Sequence, residues 1–285
     1  MQTQNAIVPI LKWVGGKRQL LPTIHEMLPD KISTYYEPFF GGGALFFSLL
    51  PEKAVLNDFN PQLIGMYRAI QQNPLSVEAE LLDVQGTYNA LPSDMEKANY
   101  YGYLRRLFNV KIQKQHHDAQ MAALLIFLNK AGFNGLYRVN KSSEYNVPSA
   151  HKKTIHSFTH DNLLSVSSAL QNATILCGDF EAAVQTASPG DFIFFDFPYY
   201  NTFDTYQSNG FSEADHRRLA NLFQALTDKG VSCMLTNSNT DFILSLYKGF
   251  HIRTVQVKRL VNCDASKRTG EEIIVTNYAT GGEFH

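Results

Sequence analysis

The pattern of apolar and polar positions divides the chain into three parts. In the first and last parts, short apolar runs alternate with amphipathic stretches. This pattern predicts strands at residues 35–39, 54–57, 174–177, 192–196 and 231–235, and an antiparallel pair at 251–261 and 272–278. It also predicts helices at residues 44–50, 61–72, 212–228 and 240–248, with Pro61 opening the second and Ser212 capping the third. Such alternation indicates an α/β fold with a mixed sheet of about seven strands.

Strand signals nearly vanish in the middle of the chain. Helices are predicted there at about residues 96–114 and 118–130, and the Asn- and Ser-rich stretch 134–149 is better explained as loops. We therefore expect a sheet domain made of residues 1–74 and 161–285, interrupted by a mostly helical inserted domain at residues 75–160.

The composition is that of a globular protein and excludes several classes. The chain has 285 residues, 44% hydrophobic and 18% charged, and no apolar run reaches the ~18 residues that a membrane span requires. Its first part carries no recognisable export signal. Cys177, Cys233 and Cys263 are odd in number and widely spaced, which argues against disulfides and a zinc site. We expect a cytoplasmic protein.

The charge gives no global indication of a nucleic-acid partner. The formal net charge is −1, but a phosphate backbone attracts clustered basic residues and not total charge. Three clusters are present: Arg105, Arg106, Lys111, Lys114, His116 and His117; Arg138, Lys141, Lys152 and Lys153; and Lys258, Arg259, Lys267 and Arg268. Each is explained equally well as a solvated face of a helix or loop.

A glycine turn lies between the first predicted strand and the helix after it. The backbone of Gly41, Gly42 and Gly43 can approach a ligand that side chains would exclude, although a plain tight turn explains them equally well. Asp58 favours a ligand, because it ends the next strand, where a carboxylate can accept hydrogen bonds from ribose hydroxyls. The turn has no basic residue, which argues against phosphates. S-adenosylmethionine is therefore the expected cofactor.

A second polar group follows the apolar strand that leads to Asp196. Together with Phe197, Pro198 and Tyr199, it is close to the Asp-Pro-Pro-Tyr signature of amino-methyltransferases. The Asp196 carboxylate and the carbonyl of residue 197 can accept both hydrogens of an adenine N6 amine and pull it toward tetrahedral geometry. Tyr199 would stack on a base that has left the duplex. This scheme requires no metal, and the nine histidines form no metal-binding pattern.

Six motifs in order make the chain resemble the Dam-type DNA adenine-N6 methyltransferases, the alpha group of class D12. They are residues 12–17, 37–44, 57–58, 133–138 with 146–148, 178–180 and 196–199. The resemblance implies a Rossmann-like, S-adenosylmethionine-dependent methyltransferase sheet with an inserted, mostly helical DNA-recognition domain.

The resemblance also implies which residues bind the cofactor. They are Trp13 and Lys17 around the methionine part, Glu37, Phe39, Gly41 and Gly43 along the cofactor, Asp58 at the ribose, and Asp179 and Phe180 at the adenine. Two of them have a plainer explanation: Trp13 as a core aromatic residue, and Asp179 as a helix cap.

Double-stranded DNA is the implied partner, and GATC the expected target. The residues concerned are Phe133 as a wedge in the opened duplex, Asn134, Leu136 and Arg138 at base edges, Pro148 against a thymine methyl group, and Lys12 at the outer guanine. Arginine reads guanine O6 and N7 with two hydrogen bonds, and a salt bridge within the loop is the alternative for Arg138. After Pro148 the chain departs from the family pattern of Phe/Tyr-Gly-Arg-Tyr, so contacts from that loop are not carried over.

Phe197 is the departure within the catalytic motif, where the family has proline. Proline would stiffen the backbone at positions 196 and 197, and the phenyl ring is expected near the point where cofactor and adenine meet. We therefore expect reduced turnover and an increase in kcat of at least about tenfold in Phe197→Pro. The hypotheses are an active enzyme, a DNA- and cofactor-binding homologue with impaired catalysis, and an RNA or free-base methyltransferase. Restriction-modification, phage and housekeeping roles are not distinguished.

Overall fold

A computed structural model describes residues 7–13, 15–200, 211–258 and 269–280. In this part of the chain the strands are β1 (Tyr35–Glu37), β2 (Ala54–Asp58), β3 (Ala173–Cys177), β4 (Phe192–Phe195), β5 (Ser232–Ser238), β6 (His251–Lys258) and β7 (Thr269–Thr276). The helices are α1 (Leu21–Glu26), α2 (Ala44–Leu49), α3 (Pro61–Gln72), α4 (Pro74–Ala90), α5 (Asp94–Gln113), α6 (Ala119–Ala131), α7 (His160–Leu170), α8 (Phe180–Ala183), α9 (Glu213–Asp228) and α10 (Asp241–Leu246).

The strands form one seven-stranded sheet in the order β3-β2-β1-β4-β5-β7-β6. The first five are parallel, and β7 runs antiparallel to both β5 and β6. The chain builds outward from β1 to β3 on one side and then returns to β4 on the other. Open α/β sheets bind ligands at such a reversal, outside the carboxyl ends of the strands. Glu37 and Asp196 lie at this point, at the ends of β1 and β4.

Side-chain caps explain where several helices begin. The Asn60 side chain accepts hydrogen bonds from the backbone N–H groups of Gln62 and Leu63, in front of α3. Ser212 and Asp215 form a reciprocal capping box at the start of α9. Each cap satisfies N–H groups that have no partner within the first helical turn. Both helix starts agree with the sequence prediction.

The segment between β2 and β3 is helical and shares its core with the sheet. Helix α6 is apolar on nearly every side, and residues 121–129 and Ala131 are all buried. The same hydrophobic cluster contains Phe127 of α6, Phe108 of α5, and Tyr35 and Phe192 of the sheet. Residues 134–149 form no regular strand, as expected, and the isolated bridges there join Gly132 to Ser149 and Val139 to Tyr145. The proposed domain boundaries stay a prediction.

Two long helices were not predicted from the sequence. Helix α4 buries Val77, Leu81 and Tyr88 at helical spacing, but Leu75 and Leu82 are exposed on the same helix and blur the pattern. Helix α7 begins at His160, within a stretch interpreted as polar surface, and is capped by Thr159. The overall prediction of an α/β fold with a mixed seven-stranded sheet is confirmed.

Some predictions fall on residues that the structure does not describe. These are Val14, Cys263, most of the third basic cluster and the end of the strand predicted at 251–261. None of the helices in the described ranges combines the length and apolar character needed to cross a bilayer.

Candidate active site

The carboxylate of Asp196 is the centre of the site and directly follows β4. Lys17 places its ammonium 2.5 Å from Asp196 Oδ1 and 4.5 Å from the centroid of the Tyr199 ring. Thr236, on neighbouring β5, donates its hydroxyl to the same oxygen at 3.2 Å. Burial raises the pKa of Asp196 above its ordinary value, and the Lys17 charge and the Thr236 hydroxyl offset part of that increase. Its ammonium thus contacts the Asp196 carboxylate, and the role of Lys17 in cofactor binding stays a prediction.

Tyr199 has an anchor that the sequence did not identify. Its phenol donates a hydrogen bond of 2.6 Å to Glu272 Oε2 on β7. β7 is the antiparallel neighbour of β5, and Glu272 lies opposite Ser238 in that pairing. In the sequence, the only hint was an acidic residue at the start of an apolar strand. Its partner is 73 positions away, so spacing could not reveal the contact.

The ring of Phe197 lies in the second hydrophobic core and is 1% exposed. Its centroid is 5.9 Å from that of Phe39, 5.5 Å from that of Phe211 and 5.4 Å from that of His216. This corrects the expectation that the ring would project to the meeting point of cofactor and base. The backbone of residue 197 still follows Asp196 and offers its carbonyl, whatever the side chain.

Asp58 ties the ends of β1 and β2 together. Its Oδ2 accepts a hydrogen bond from the Gly41 N–H, and its Oδ1 one from the Asn60 N–H, both at 2.9 Å. Burial raises its pKa, and these backbone donors offset part of the effect. The Asn57 amide bridges Pro38 O and Gly178 O, which fixes the end of β3 beside the other two strands. Asn57 belonged to a motif but had been given no role.

The glycine turn is required by conformation and by packing against protein side chains. Gly41 and Gly43 have left-handed φ values of 49° and 64°. A Cβ at Gly41 would lie 2.9 Å from the Trp13 ring, and one at Gly43 would lie 2.6 Å from Phe40. The plain tight turn that the sequence left open therefore accounts for these glycines, and the approach of a ligand to their backbone stays a prediction. Trp13 is half-buried and contacts the Tyr137 ring at 5.4 Å, so its explanation as a core aromatic residue also holds.

Glu37 and two aromatic rings line the region between β1 and α8. Glu37 is 3% exposed and accepts the Tyr35 hydroxyl at 2.7 Å. Burial raises its pKa well above the ordinary value, and the Tyr35 hydrogen bond opposes this. Phe39 stacks on Phe180 with centroids 5.3 Å apart, a direct-contact distance that leaves no space for a third ring between them.

Asp179 has a structural role. Its side chain caps α8 by accepting the Glu181 N–H, and both of its oxygens lie 3.1 Å from Nη2 of Arg218. The guanidinium of Arg218 also lies 4.8 Å from the Phe180 ring centroid. The helix-cap explanation of Asp179 is therefore confirmed, and a role in cofactor binding stays a prediction. Arg218 belonged to none of the motifs found in the sequence.

The residues expected at DNA meet where α6 ends. Phe133 is 52% exposed on the 3-10 turn Phe133–Gly135, and the exposed Asn134 has a left-handed φ of 54°. Lys12 packs against this turn, since a Cβ at Gly135 would lie 2.8 Å from its side chain. Buried Asn129 holds the two segments together: it accepts the Lys12 N–H and donates to Lys12 O and Gly135 O. Asn129 was missed because its partner Lys12 lies 117 positions away in the sequence.

The Arg138 side chain is held by the loop segment that faces it. Its Nε donates to Asn146 Oδ1 at 2.7 Å and its Nη2 to Asn146 O at 3.2 Å, and among the described residues it forms no ion pair with an acidic side chain. Leu136 is half-buried and Pro148 is exposed next to this pair of loops. The structure thus brings Lys12, Phe133 and Asn134 together, and Arg138 with Pro148 lies in the adjoining 132–149 segment.

Positive charge accumulates at the end of α6. Burial lowers the pKa of Lys130, and the charges of Arg18, Lys152 and Lys12 lower it further. Arg18 and Lys130 belonged to none of the clusters that the sequence suggested. In the described ranges, no group of three His, Cys, Asp or Glu side chains could hold a metal ion.

Known proteins similar to this chain share one description. Residues 13–261 match the family of D12 class N6 adenine-specific DNA methyltransferases. The Type II methyltransferase M1.LlaDCHI of Lactococcus lactis subsp. cremoris is 40% identical over 278 residues, which is 95% of each chain. The Type II methyltransferase M.MjaIII of Methanocaldococcus jannaschii is 38% identical over 289 residues, 95% of this chain and 99% of the relative. A DNA adenine methylase of Haemophilus influenzae is 33% identical over 266 residues, 91% of this chain and 90% of that one.

Proposed function

Because the chain belongs to the D12 class of N6 adenine-specific DNA methyltransferases, we propose that it methylates adenine within GATC of duplex DNA, on a base rotated out of the helix. The class itself establishes a coarser activity: the chain is a DNA adenine-N6 methyltransferase that uses S-adenosylmethionine. The observation that carries the proposed transfer to a rotated-out base is the meeting of Asp196, Thr236 and Tyr199 at the reversal point of the sheet, and the choice of GATC rests on residues around the end of α6.

The residues at the carboxyl edge fit the cofactor. A Cβ at Gly178 would meet no atom within 4 Å, so open space lies beside the backbone between Asp58 and Asp179. Each Asp58 oxygen has a lone pair left for a ribose hydroxyl after its backbone hydrogen bond. Phe39 and Phe180 form an apolar wall for the adenine, and Phe59, which is 69% exposed directly after Asp58, adds an aromatic surface.

S-adenosylmethionine, when bound, supplies a sulfonium methyl group already activated for transfer. The protein has to present the amine. Asp196 accepts one N6 hydrogen and the carbonyl of residue 197 the other, which directs the nitrogen lone pair away from both acceptors and toward the methyl group. Tyr199 stacks on the base. No general base is needed before transfer, because the amine becomes acidic only once it is methylated.

Lys17 must move before adenine can enter. Its ammonium contacts both groups that would receive the base, the carboxylate of Asp196 and the ring of Tyr199. When the neutral N6 amine of adenine replaces the Lys17 ammonium, Asp196 loses one positively charged neighbour. The exchange therefore costs electrostatic energy, which stacking and the two acceptor hydrogen bonds must offset.

Three features of the inserted segment and of the N-terminal residues beside it support duplex DNA as the substrate. The exposed Phe133 is available as a wedge, and its turn is fixed through Asn129. Lys12, Arg18, Lys130 and Lys152 supply clustered positive charge near it. Arg138 is oriented by Asn146 and, within the described ranges, has no acidic partner, as is expected of a base-reading arginine. The GATC proposal rests on four proposed contacts: Lys12 with the outer guanine, Arg138 with a guanine, and Leu136 and Pro148 with the thymine.

The hypothesis of a DNA- and cofactor-binding homologue with impaired catalysis loses its steric argument. Phe197 has its ring among Phe39, Phe211 and His216, so it fills a core instead of obstructing the amine. Full activity is the favoured outcome. Relatives named Type II methyltransferases support a role in restriction-modification.

The target proposal is tested with duplexes that differ at one base pair. Methyl transfer from labelled S-adenosylmethionine is measured on GATC and on each single substitution within it. We expect each mismatch to reduce kcat/KM by at least about tenfold, since one base pair contributes roughly 1–3 kcal/mol. Equal transfer to all adenine-containing duplexes contradicts the GATC assignment. Transfer to single-stranded RNA at the rate of duplex DNA contradicts the duplex proposal.

A further inference from the structure

Two neighbouring strands each provide one hydrogen-bond partner for the proposed catalytic tetrad, residues Asp196–Tyr199. Thr236 of β5 bonds Asp196, which opens the tetrad, and Glu272 of β7 bonds Tyr199, which closes it. Thr236 and Ser238 are two residues apart and so lie on the same face of β5, and Glu272 pairs with Ser238. Both ends of the segment Asp196–Tyr199 are therefore hydrogen-bonded to the same part of the sheet.

The hydrogen bond from Tyr199 to Glu272 has the geometry of a strong anchor. At 2.6 Å between phenol and carboxylate oxygens, it is in the range of charge-assisted hydrogen bonds. Burial and the charges of Asp196 and Glu272 raise the pKa of Tyr199 well above its ordinary value. The phenol thus keeps its proton at neutral pH and stays the donor.

A stacking platform depends on the direction of its ring. The terminal torsion of a tyrosine side chain is broad, so packing alone leaves the ring plane loosely defined. Fixing the phenol oxygen as well as the Cβ removes that freedom. Methyl transfer is sensitive to this, because a small misalignment of the amine lowers the fraction of productive complexes.

We infer that Glu272 is a positioning residue for adenine methylation: its carboxylate holds the Tyr199 phenol and thereby sets the plane on which the target base stacks. The inference rests on the proposed stacking of adenine on Tyr199. Glu272 contacts neither the cofactor nor the reacting amine in this arrangement. Its effect belongs to the transfer step and leaves cofactor affinity unchanged.

Glu271 offers a matched control on the same strand. It is exposed on the opposite face of β7, where its oxygens accept hydrogen bonds from Gln256 and Asn239. Glu271→Gln changes the same charge at the adjacent position without touching Tyr199. Any loss that arises from net charge or from weakening of β7 appears in this variant as well.

The experiment compares single-turnover methylation of a GATC duplex by wild type, Glu272→Gln, Glu272→Ala, Tyr199→Phe, the double variant Tyr199→Phe with Glu272→Ala, and Glu271→Gln. We expect Glu272→Ala and Tyr199→Phe each to lower the transfer rate about tenfold, equivalent to about 1.4 kcal/mol of barrier. The double variant should be no slower than Tyr199→Phe, because that change already removes the phenol that Glu272 holds. Glu272→Gln retains an acceptor and should remain within about threefold of wild type.

Two further readouts separate positioning from folding. The dissociation constant for S-adenosylmethionine should be the same in all variants, and the fluorescence of a duplex with 2-aminopurine at the target position should differ from wild type in Glu272→Ala, Tyr199→Phe and their double variant, but not in Glu271→Gln. Additive losses in the double variant, or equal rates in Glu272→Ala and Glu271→Gln, overturn the inference. If Glu272→Ala does not fold, a wild-type rate in Tyr199→Phe overturns it alone. Failure of the wild type to methylate any duplex refutes the proposed function instead.

Discussion

At the scale of single residues, Phe197 shows how a departure from a motif can be absorbed by the core. The family proline at this position would contribute little side-chain volume, whereas the phenyl ring joins a cluster with Phe39, Phe211 and His216. His216 is 1% exposed, neither of its ring nitrogens has a hydrogen-bond partner among the residues that the structure describes, and burial lowers its pKa to about 4. A neutral imidazole beside an aromatic ring suits this apolar environment.

Removing the Phe197 ring is therefore expected to cost stability before it affects catalysis. Phe197→Ala should lower the free energy of unfolding by about 3–5 kcal/mol, the usual range for a fully buried phenylalanine. Phe197→Pro should lose a comparable amount, with no tenfold gain in kcat. Urea denaturation and single-turnover methylation of both variants provide the measurement. A stable Phe197→Pro protein with a tenfold higher kcat would restore the original expectation of an impaired enzyme.

The protonation of Asp196 should set the acidic limb of the curve of kcat/KM against pH. The carboxylate must be ionised to accept the N6 hydrogen, and burial has raised its pKa above the usual value of about 3.9. The kcat/KM value should thus decline as the pH falls through this raised pKa. Lys17→Met removes the cation that opposes the increase, so the limb should move to higher pH. The measurement is the pH dependence of kcat/KM over the range in which wild type and Lys17→Met both remain folded. If the acidic limb has the same position in the two proteins, Lys17 does not contact Asp196 in solution.

Asp58 is expected to contribute to cofactor affinity. Asp58→Ala removes the acceptor proposed for the ribose and also releases the Gly41 N–H, so S-adenosylmethionine binding should weaken by about 1–3 kcal/mol. Calorimetric titration of a folded variant measures the change. Asp30→Ala, at an exposed position, is the control. An unchanged dissociation constant would remove Asp58 from the cofactor site.

At the scale of elements, the loops after α6 are rigid because distant residues hold them. Asn129 joins Lys12 to Gly135, and the Tyr145 N–H donates to Asn109 Oδ1 of α5. The recognition surface is therefore built by contacts between α5, α6 and the N-terminal segment. Loop sequence alone does not define it.

Arg138→Ala tests whether this surface reads bases. If Arg138 contacts a guanine with two hydrogen bonds, the variant should lose about 1–3 kcal/mol of discrimination at one base pair and keep its cofactor affinity. Specificity ratios on substituted duplexes are the measurement. Lys141→Ala, exposed in the same segment, should leave the ratios unchanged. A uniform loss on all duplexes, with the salt slope smaller by about one, identifies Arg138 as a phosphate contact.

The sequence predicted elements where local signals were strong and missed them where only tertiary contacts decide. The capping box of Ser212 and the apolar run of β4 are local, and both were found. Helix α4 was missed because its exposed leucines break the periodicity. Glu272 and Asn129 were missed because their partners lie 73 and 117 positions away. The motifs thus identified the chemistry, and the structure identified the residues that hold it in place.

At the scale of the whole molecule, one sheet edge joins the residues that we propose for cofactor binding and for catalysis. Glu37 and Asp58 come from the strands on one side of the reversal, and Asp196 and Thr236 come from the other side. The inserted helices share a core with this sheet, so the loops proposed to recognise DNA and the carboxyl edge of the sheet belong to one packed body. This arrangement supports transfer to a base delivered from bound DNA.

Single-turnover methylation of a GATC duplex tests the central claim most directly, with N6-methyladenine identified in the hydrolysed product by mass spectrometry. The wild type should form it at the GATC adenine, and Asp196→Asn should reduce the transfer rate by at least about a hundredfold, or about 2.7 kcal/mol. Asn is close to isosteric but cannot offer two acceptor oxygens. A wild type that binds S-adenosylmethionine and DNA without forming N6-methyladenine, or an Asp196→Asn variant with the wild-type rate, would contradict the account.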